Sequence, residues 1–356
     1  MNNSGDSFAA LAGKRVFLTG HTGFKGAWLT MLLHRLGCEV HGYALPPESD
    51  PNLFSLASVQ DYLAGETIAD IRDRRALTHA MQAARPDLVL HLAAQAFVRR
   101  SYAEPADTWD INVTGTSNVL DAARSTSDLS AIVVVTTDKC YENKNWDWGY
   151  RETDTLGGHD PYSASKAAAE LTVQSYRRSF FSAGKTLLAS ARAGNVIGGG
   201  DWSEDRLIAD AARAVAARNP LLIRNPTATR PWQHVLDCLG GYLTLSCALL
   251  EGNSAAATAF NFGPLESGNL SVQNVLGKLQ MNWPGLIWST MQTDGARHEA
   301  QLLYLDSAKA RNQLGWRPRW TVDTALEKTA GWYREIAANP THAMAATRQQ
   351  IEDFLS

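Results

Sequence analysis

The segment Val16-Phe-Leu-Thr-Gly20-His-Thr-Gly23-Phe-Lys-Gly26 decides the fold class, because it joins an apolar run to a turn with regularly spaced glycines. Its first residues fit a buried strand, and residues 27–36 place their apolar side chains on one helical stripe. A Gly-x-x-Gly-x-x-Gly turn between a strand and a helix is the context that a dinucleotide site requires. Gly20 permits the tight turn, Gly23 lets the backbone approach a pyrophosphate, and Gly26 allows the helix to pack closely on the sheet. The N–H groups at the start of the helix would face the phosphates.

Short apolar runs continue to alternate with helical patterns through the first half of the chain. Further strands are predicted at residues 39–43, 67–70, 88–92, 132–136, 186–190 and 260–262. Nearly all-apolar strands separated by helices imply an α/β fold with a parallel, doubly wound sheet of Rossmann type. After residue 192 glycines and prolines become dense, which favours a smaller, discontinuous α/β lobe that would hold the substrate. The predicted divisions are a disordered leader at 1–13, a dinucleotide-binding domain at 14–192 plus about 230–263, and the lobe at about 193–229 plus 264–356.

Composition limits the classes of partner. The chain has 356 residues, of which 45% are apolar, and its formal net charge is −3. That charge gives no general attraction to nucleic acid or to an anionic membrane, and no apolar run approaches the length that spans a bilayer. The four cysteines lack C-x-x-C spacing, which favours free thiols in a cytoplasmic protein over a disulfide framework or a metal site. We therefore expect a small-molecule ligand.

The segment Asp160-Pro-Tyr162-Ser-Ala-Ser-Lys166 predicts a proton-transfer pair. Asp160 is a favourable N-cap and Pro161 a favourable first helical residue. Tyr162 and Lys166 then share one helix face, because residues four apart are neighbours. A Lys ammonium beside a phenol lowers the pKa of that phenol, which could then take a proton from a sugar or alcohol hydroxyl while a hydride leaves the same carbon. On its own the motif would also fit an exposed surface pair.

The ends of the predicted strands supply further candidates for the cofactor site. The second strand ends at Tyr43 without an Asp or Glu for the ribose diol of NAD and without an Arg for a 2′-phosphate, so its chemistry leaves NAD and NADP open. We expect loose cofactor binding for that reason. Lys25, inside the glycine turn, could assist a phosphate or be a solvated surface lysine. Asp70 and Ile71, at the end of the third strand, are expected to meet the edge of the adenine. Ala93 and Ala94, after the fourth strand, are small enough for the protein backbone to lie close to the cofactor.

Thr136-Thr137-Asp138-Lys139 ends the predicted fifth strand, at the edge where open α/β proteins bind ligands. The Thr137 hydroxyl could hydrogen-bond a substrate hydroxyl beside Tyr162. Asp138 and Lys139 add a carboxyl group and an amine, which simple alcohol dehydrogenation does not need. Removal of water from a sugar does need two such groups, one to take a carbon-bound proton and one to protonate the departing hydroxyl. The alternative is a solvated Asp-Lys pair at the start of a loop.

Together these residues resemble the extended short-chain dehydrogenase/reductase family, and most closely its nucleotide-sugar 4,6-dehydratases. The similarity covers nearly the whole chain, and several longer segments are typical of the members that act on CDP-glucose. They are residues 20–26, Thr137-Asp-Lys-Cys-Tyr141, Asn145-Trp-Asp-Trp-Gly-Tyr-Arg151, Gly198-Gly-Gly-Asp-Trp202, Asp205-Arg-Leu-Ile208 and Thr229-Arg-Pro-Trp-Gln-His-Val235. The resemblance implies NAD as the cofactor, with contacts from Gly20, Thr22, Gly23, Phe24, Lys25, Gly26, Thr136, Tyr162 and Lys166.

The resemblance also implies a redox-neutral reaction. Tyr162, helped by Lys166 and Thr137, would take the 4-hydroxyl proton as C4 passes a hydride to NAD⁺. A base would remove the C5 proton while Asp138 protonates the C6 hydroxyl, water would leave, and the hydride would return to C6 to give a 4-keto-6-deoxy sugar. Relatives that use dTDP-glucose have a Glu at the position of Lys139, so we hypothesise that a neutral Lys139 is the C5 base.

Substrate contacts and assembly follow from the same resemblance. Arginine forks suit a pyrophosphate, and seven residues are expected to bind the substrate: Asn195, Arg206, Arg230 and Arg297 at family positions, and Gln95, Arg100 and Tyr141 around the sugar. A homodimer or tetramer is expected through paired helices. Two other functions on this fold stay open. A nucleotide-sugar 4-epimerase would not need Asp138 and Lys139, and a non-catalytic cofactor-sensing protein would not need a tuned phenol.

Overall fold

The computed structural model describes residues 4–182, 184–291 and 302–356. The strands in chain order are β1 (Arg15–Thr19), β2 (Glu39–Ala44), β3 (Gly65–Ile68), β4 (Leu88–His91), β5 (Ala131–Val135), β6 (Leu187–Ala193), β7 (Asn195–Ile197), β8 (Leu221–Ile223), β9 (Thr229–His234), β10 (Ala259–Phe262), β11 (Asn269–Ser271) and β12 (Trp288–Thr290). Seven of them form one sheet in the order β10-β6-β5-β4-β1-β2-β3. Every neighbouring pair in this sheet is parallel, which confirms the predicted doubly wound fold.

The helices connect these strands and cover both faces of the sheet. They are α1 (Phe24–Arg35), α2 (Leu53–Leu56), α3 (Arg74–Ala84), α4 (Val98–Ala103), α5 (Pro105–Trp109), α6 (Gly115–Arg124), α7 (Pro161–Ser179), α8 (Leu207–Ala217), α9 (Val235–Leu250), α10 (Val272–Asn282), α11 (Ala308–Leu314), α12 (Val322–Ala338) and α13 (Ala343–Leu355). Within the described ranges, no helix combines the length and the apolar character needed to cross a membrane.

Alternation along β1 shows why its three central residues are all apolar. Val16 and Leu18 are buried in one core with residues of α1 and α9, whereas Phe17 is buried in a second core with residues of α3, α6 and α7. Successive strand side chains point to opposite faces, so a sheet covered on both faces needs apolar residues at every position. Full burial of each such side chain contributes roughly 1.5–3 kcal/mol.

The first core extends further along the chain than the sequence indicates. Phe8 and Leu11 are buried in it, and Ser4–Leu11 forms a 3-10 helix. Over residues 4–11 this differs from the disordered leader expected over 1–13, because Phe8 and Leu11 pack against the main core, while residues 1–3 lie outside the described residues. Trp332 of α12 and Phe354 of α13 also lie in this core, although residues 264–356 are assigned to the separate lobe from sequence.

Two small sheets lie beyond the carboxyl edge of the large one. One has the order β11-β9-β7, and the other pairs β8 with β12. Strand β7 follows β6 after a single residue, Gly194, so the chain passes directly from the large sheet into this second layer. Between the two layers lies a cleft of about 1530 Å³, which is lined by residues that follow β1, β2, β3, β4, β5 and β6.

Candidate active site

The glycine turn has the geometry of a phosphate cradle. Gly20 has φ +78°, and a Cβ there would lie 2.7 Å from the Ala93 nitrogen. A Cβ at Gly26 would lie 2.0 Å from the Gly20 carbonyl oxygen. Gly23, in contrast, lines the cleft, and among the described residues the nearest atom to a Cβ there would be the Gly20 oxygen, at 3.5 Å. Glycine is thus required at two positions by the fold, and at the third it keeps the backbone open toward the start of α1.

The cleft brings together every residue predicted to contact the cofactor. They are Gly20, Thr22, Gly23, Phe24, Lys25, Gly26, Asp70, Ile71, Ala93, Ala94, Thr136, Tyr162 and Lys166. The Asp70 carboxylate pairs with the Arg72 guanidinium at 2.7 Å, and the Thr22 hydroxyl donates to the Leu45 carbonyl oxygen at 2.8 Å. Both side chains therefore also fix the loops that form this end of the cleft.

Lys25 is not the solvated surface lysine that was one of the two alternatives, and a role toward a phosphate stays open. Its side chain is half-buried, and Nζ donates to the Tyr242 hydroxyl oxygen on α9 at 3.3 Å. The ammonium therefore points inward beneath the glycine turn. It still lines the cleft, so its charge acts on the interior of the site.

The helix that carries the proton-transfer pair begins where the sequence predicts. The Asp160 carboxylate accepts a hydrogen bond from the Ser163 N–H at 2.9 Å, and Pro161 is the first residue of α7. Tyr162 and Lys166 are each 7% exposed. The pair is therefore a buried feature of the cleft wall, which excludes the exposed surface pair as an interpretation.

The pKa of the phenol moves in the direction opposite to the prediction. Burial raises the pKa of Tyr162 to about 12, and its hydrogen bond with Thr137 offsets only part of that rise. Burial likewise lowers the pKa of Lys166 to about 8, and the Lys25 charge adds to this effect. The Lys166 amine donates to the Val135 carbonyl oxygen at 3.4 Å. The predicted lowering of the phenol pKa by Lys166 is wrong here, because desolvation of the phenolate is the dominant influence.

The turn after β5 holds three functional groups in a compact arrangement. The Thr137 hydroxyl donates to Asp138 Oδ1 at 3.0 Å and accepts from the Lys139 N–H at 3.3 Å. Asp138 is 1% exposed, and within the described residues its Oδ2 has no hydrogen-bond partner. A Cβ at Gly194 would lie 2.9 Å from that oxygen. Because residue 194 is a glycine, space remains beside this buried oxygen of Asp138.

Lys139 lies next to this carboxylate at the cleft surface. Its Nζ is 3.8 Å from Asp138 Oδ1, and 27% of its side chain is exposed. Burial lowers the pKa of Lys139, the Asp138 carboxylate opposes that shift, and the Arg230 and Arg206 cations reinforce it. Lys139 therefore loses its proton more easily than an ordinary lysine, as a base requires.

The expected substrate residues divide into two groups. Asn195, Arg206 and Arg230 line the same cleft. Arg206 donates to the Ala96 carbonyl oxygen at 3.3 Å, and Arg230 to that of Thr229 at 2.8 Å. Arg297 lies outside the described residues.

Gln95, Arg100 and Tyr141 also line the cleft, but their polar groups bind other parts of the protein. Gln95 donates to the Thr108 hydroxyl at 2.8 Å. Arg100 forms ion pairs with Glu48 at 3.0 Å and with Glu204 at 2.9 Å. These side chains shape the cleft, and sequence reasoning missed this because their partners lie far away in the chain.

Sequence reasoning also missed two buried charged residues behind the cleft. Glu170 and Arg192 form an ion pair at 2.7 Å and are 3% and 4% exposed. One signal was available, because Glu170 continues the four-residue spacing of Tyr162 and Lys166 along the same helix face.

Within the described parts of the chain, no group of His, Cys, Asp or Glu is arranged to hold a metal ion, and Cys38, Cys140, Cys238 and Cys247 are free and buried.

Known proteins are similar to this chain over nearly its whole length. The family model described as GDP-mannose 4,6 dehydratase matches residues 17–329. A CDP-glucose 4,6-dehydratase from Salmonella typhimurium is 40% identical over 349 residues, which cover 97% of each chain. A probable dTDP-glucose 4,6-dehydratase from Sinorhizobium fredii is 29% identical and covers 90% of this chain and 93% of its own.

Solved structures share the fold. The epimerase Mth375 from Methanothermobacter thermautotrophicus has a TM-score of 0.80 at 23% identity, covering 95% of this chain and 97% of its own. A dTDP-glucose 4,6-dehydratase from Streptomyces venezuelae, solved with NAD and TYD bound, has a TM-score of 0.77 at 24% identity and covers 92% and 99%. The fold is that of an extended short-chain dehydrogenase/reductase. Within that class, the chain belongs to the GDP-mannose 4,6 dehydratase family.

Proposed function

We propose that this protein is an NAD-dependent nucleotide-sugar 4,6-dehydratase that converts CDP-glucose to CDP-4-keto-6-deoxyglucose. The observation that carries the proposal is the placement of Asp138 and Lys139 in the same cleft as Tyr162 and Lys166. An acid and a base beside a proton-transfer pair suit a reaction that eliminates water after oxidation. The similarity to a CDP-glucose 4,6-dehydratase supports cytosine as the nucleotide base.

The cleft fits a nicotinamide dinucleotide. The glycine turn would hold the pyrophosphate. Gly23 lines the cleft, and a side chain there would project into the space where the pyrophosphate would lie. Asp70 and Ile71 would lie toward the adenine end, and Tyr162 and Lys166 toward the nicotinamide end. Bound NAD⁺ would supply a hydride acceptor for C4 of the sugar and later a hydride donor for C6.

Tyr162 would take the proton of the 4-hydroxyl. With a pKa of about 12 its phenol holds a proton near neutrality, so deprotonation needs added positive charge nearby. A cation brought into the cleft beside the phenol would lower its pKa. Thr137, whose side chain lowers the pKa of the phenol, would help to keep the oxygen directed at the substrate hydroxyl.

Asp138 and Lys139 would carry out the elimination. Lys139 would remove the C5 proton, the C6–O bond would break, and protonated Asp138 would supply the proton with which the hydroxyl leaves as water. At 3.8 Å the two groups form an ion pair. Moving one proton from the ammonium to the carboxylate turns this ion pair into the required acid and base without a proton from solvent.

The reaction can be tested directly with purified protein. Incubation with CDP-glucose and NAD⁺, followed by mass spectrometry, should show the loss of one water, while UDP-, dTDP- and GDP-glucose run in parallel should not. Water loss with another nucleotide alone would overturn the cytosine assignment and keep the reaction. Interconversion without a change in mass would indicate an epimerase instead, and an unchanged substrate would favour a cofactor sensor.

We further propose a cytoplasmic homo-oligomer, a dimer or a tetramer. Free, buried cysteines suit a reducing compartment. Exposed large apolar side chains on neighbouring helices support self-association, namely Trp109 of α5 and Leu171 of α7, which are 41% and 55% exposed. Sedimentation velocity should give a particle of at least two chains, and Leu171→Glu should shift it toward the monomer.

A further inference from the structure

The Glu170–Arg192 pair lies behind the cleft, not at its surface. Neither residue lines the cleft, and both are nearly fully buried. The Glu170 carboxylate accepts hydrogen bonds from three donors: Arg192 Nη2 at 2.7 Å, Ser190 Oγ at 2.8 Å and Thr136 Oγ1 at 2.5 Å. A buried ion pair of this kind adds little stability compared with apolar packing. Its presence therefore points to a reason other than stability.

The pair contacts both ends of residues 136–141, the turn after β5 that carries the proposed acid and base. At one end, the Thr136 hydroxyl donates to Glu170 Oε1 at 2.5 Å. At the other end, Arg192 Nη1 donates to the Tyr141 hydroxyl at 2.8 Å, and the guanidinium lies 5.0 Å from the centre of the Tyr141 ring. Thr137, Asp138 and Lys139 lie between these two anchors. A shift of either anchor would move the acid and the base.

The same pair connects this turn to the helix that carries the phenol. Glu170 lies four residues after Lys166 and eight after Tyr162, so all three share one face of α7. The Glu170 carboxylate also opposes the loss of positive charge on Lys166, since it raises the pKa that burial lowers. One buried contact therefore sets the distance between the oxidation pair on α7 and the elimination pair after β5.

We propose that Glu170 and Arg192 are positioning residues for the elimination step. This inference rests on the proposed dehydratase function. Without the Glu170–Arg192 pair, α7 would still present Tyr162 and Lys166, because Asp160 caps that helix without contacting the pair. Asp138 and Lys139 would lose their fixed placement. Oxidation at C4 would continue, whereas loss of water would slow, since a misplacement of about 1 Å can reduce a rate by about 100-fold.

A double-variant cycle separates positioning from stability. Glu170→Gln and Arg192→Met each leave one buried charge without its partner, so each single variant should melt well below the parent. The double variant carries no such charge and should recover most of the melting temperature. With CDP-glucose and NAD⁺ it should remain about 10- to 100-fold slower in water loss and should accumulate reduced nicotinamide, seen by its absorbance.

The matched control is the exposed Arg35–Glu352 pair on α1 and α13. Its neutral double variant, Arg35→Met with Glu352→Gln, should change neither water loss nor nicotinamide absorbance. Recovery of both melting temperature and water loss in the Glu170/Arg192 double variant, without reduced nicotinamide, would overturn the inference. Failure of the parent protein to lose water from CDP-glucose would instead overturn the proposed function.

Two milder variants keep the inference testable if the double variant does not fold. Thr136→Val and Tyr141→Phe each remove one anchor hydroxyl and leave the ion pair intact. Each should slow water loss roughly fivefold, the effect of about one hydrogen bond, and both should show the same accumulation of reduced nicotinamide. Unchanged water loss in both variants would contradict the positioning role.

Discussion

At the scale of single residues, Lys139 gives the sharpest test of the elimination chemistry. Lys139→Met removes the amine while keeping the apolar stem, so water loss should fall by about 100-fold or more. Exchange of the C5 proton for solvent deuterium should fall with it, because the same base performs both. Lys144→Met, on an exposed lysine in the following loop, is the matched control. Deuterium exchange that survives in Lys139→Met would assign the base elsewhere.

The pH dependence of the reaction follows from the same residue. A base must be neutral to take a proton, and burial lowers the pKa of Lys139 from its usual value. The elimination rate should therefore rise with pH through this lowered pKa and level off above it. In Arg206→Gln a neighbouring cation that lowers the Lys139 pKa is removed, so the rise should move to higher pH. A profile that does not move would show that Arg206 has no electrostatic effect on the base.

At the scale of elements, the loops that follow β2, β4 and β7 are joined by one side chain. Arg100, in α4, pairs with Glu48 after β2 and with Glu204 after β7, and its guanidinium lies 4.6 Å from the centre of the Phe97 ring. These contacts cross the cleft, so Arg100→Gln should loosen it. Cofactor binding should weaken roughly threefold to tenfold, and the difference from the parent should shrink at high salt, where exposed pairs are screened. An equal difference at all salt concentrations would contradict an ionic contact.

At the start of α9, the position of Asp237 favours a negative charge, whereas its burial disfavours one. Asp237 lies in the first helical turn, where a negative charge is favourable by roughly 0.3–1 kcal/mol. Burial nevertheless raises its pKa from 3.8 to about 6, which costs the folded state up to about 3 kcal/mol above pH 6. Because the folded state binds the proton more tightly, stability falls as pH rises from about 4 to 6 and stays lower above that range.

Asp237→Asn should therefore stabilise the protein at neutral pH. The amide oxygen can keep the hydrogen bonds from the Arg319 and Trp320 N–H groups, at 2.6 and 3.4 Å, and it carries no buried charge. We expect a gain of about 1–2 kcal/mol in unfolding free energy at pH 7.5 and none at pH 4, measured by denaturant titration. A variant that is less stable than the parent at both pH values would show that the charge at the helix start dominates.

At the scale of the whole molecule, the sequence predicts best what depends on local pattern. The parallel sheet follows from apolar strands such as β1 and β5, whose side chains must be buried on both faces. The glycine turn and the start of α7 follow from residues that few other local structures use. The direction of the Tyr162 pKa and the contacts of Arg100 depend on residues that are distant in sequence. No local pattern carries that information.

The division of the molecule into units is the remaining question at this scale. Phe354, near the end of α13, is 3% exposed. It packs edge-on against Trp320 with ring centres 5.6 Å apart, and its backbone oxygen accepts a hydrogen bond from the Arg319 guanidinium at 2.5 Å. A Cβ at Gly240 of α9 would lie 2.9 Å from its ring. The last helix is therefore part of the core beneath the cofactor cleft.

Phe354→Ala should consequently destabilise the entire molecule. We expect a loss of about 3–5 kcal/mol, as for other large-to-small changes in a core, and a single calorimetric transition that moves as a whole to lower temperature. Phe180→Ala, on an aromatic residue that is 47% exposed, should leave the transition nearly unchanged. Residues 264–356 forming an independent lobe would instead give two transitions, of which Phe354→Ala would lower only one. A single transition means that substrate-side and cofactor-side elements unfold together, so NAD⁺ and CDP-glucose should each raise the same melting temperature through the one folded state that binds them.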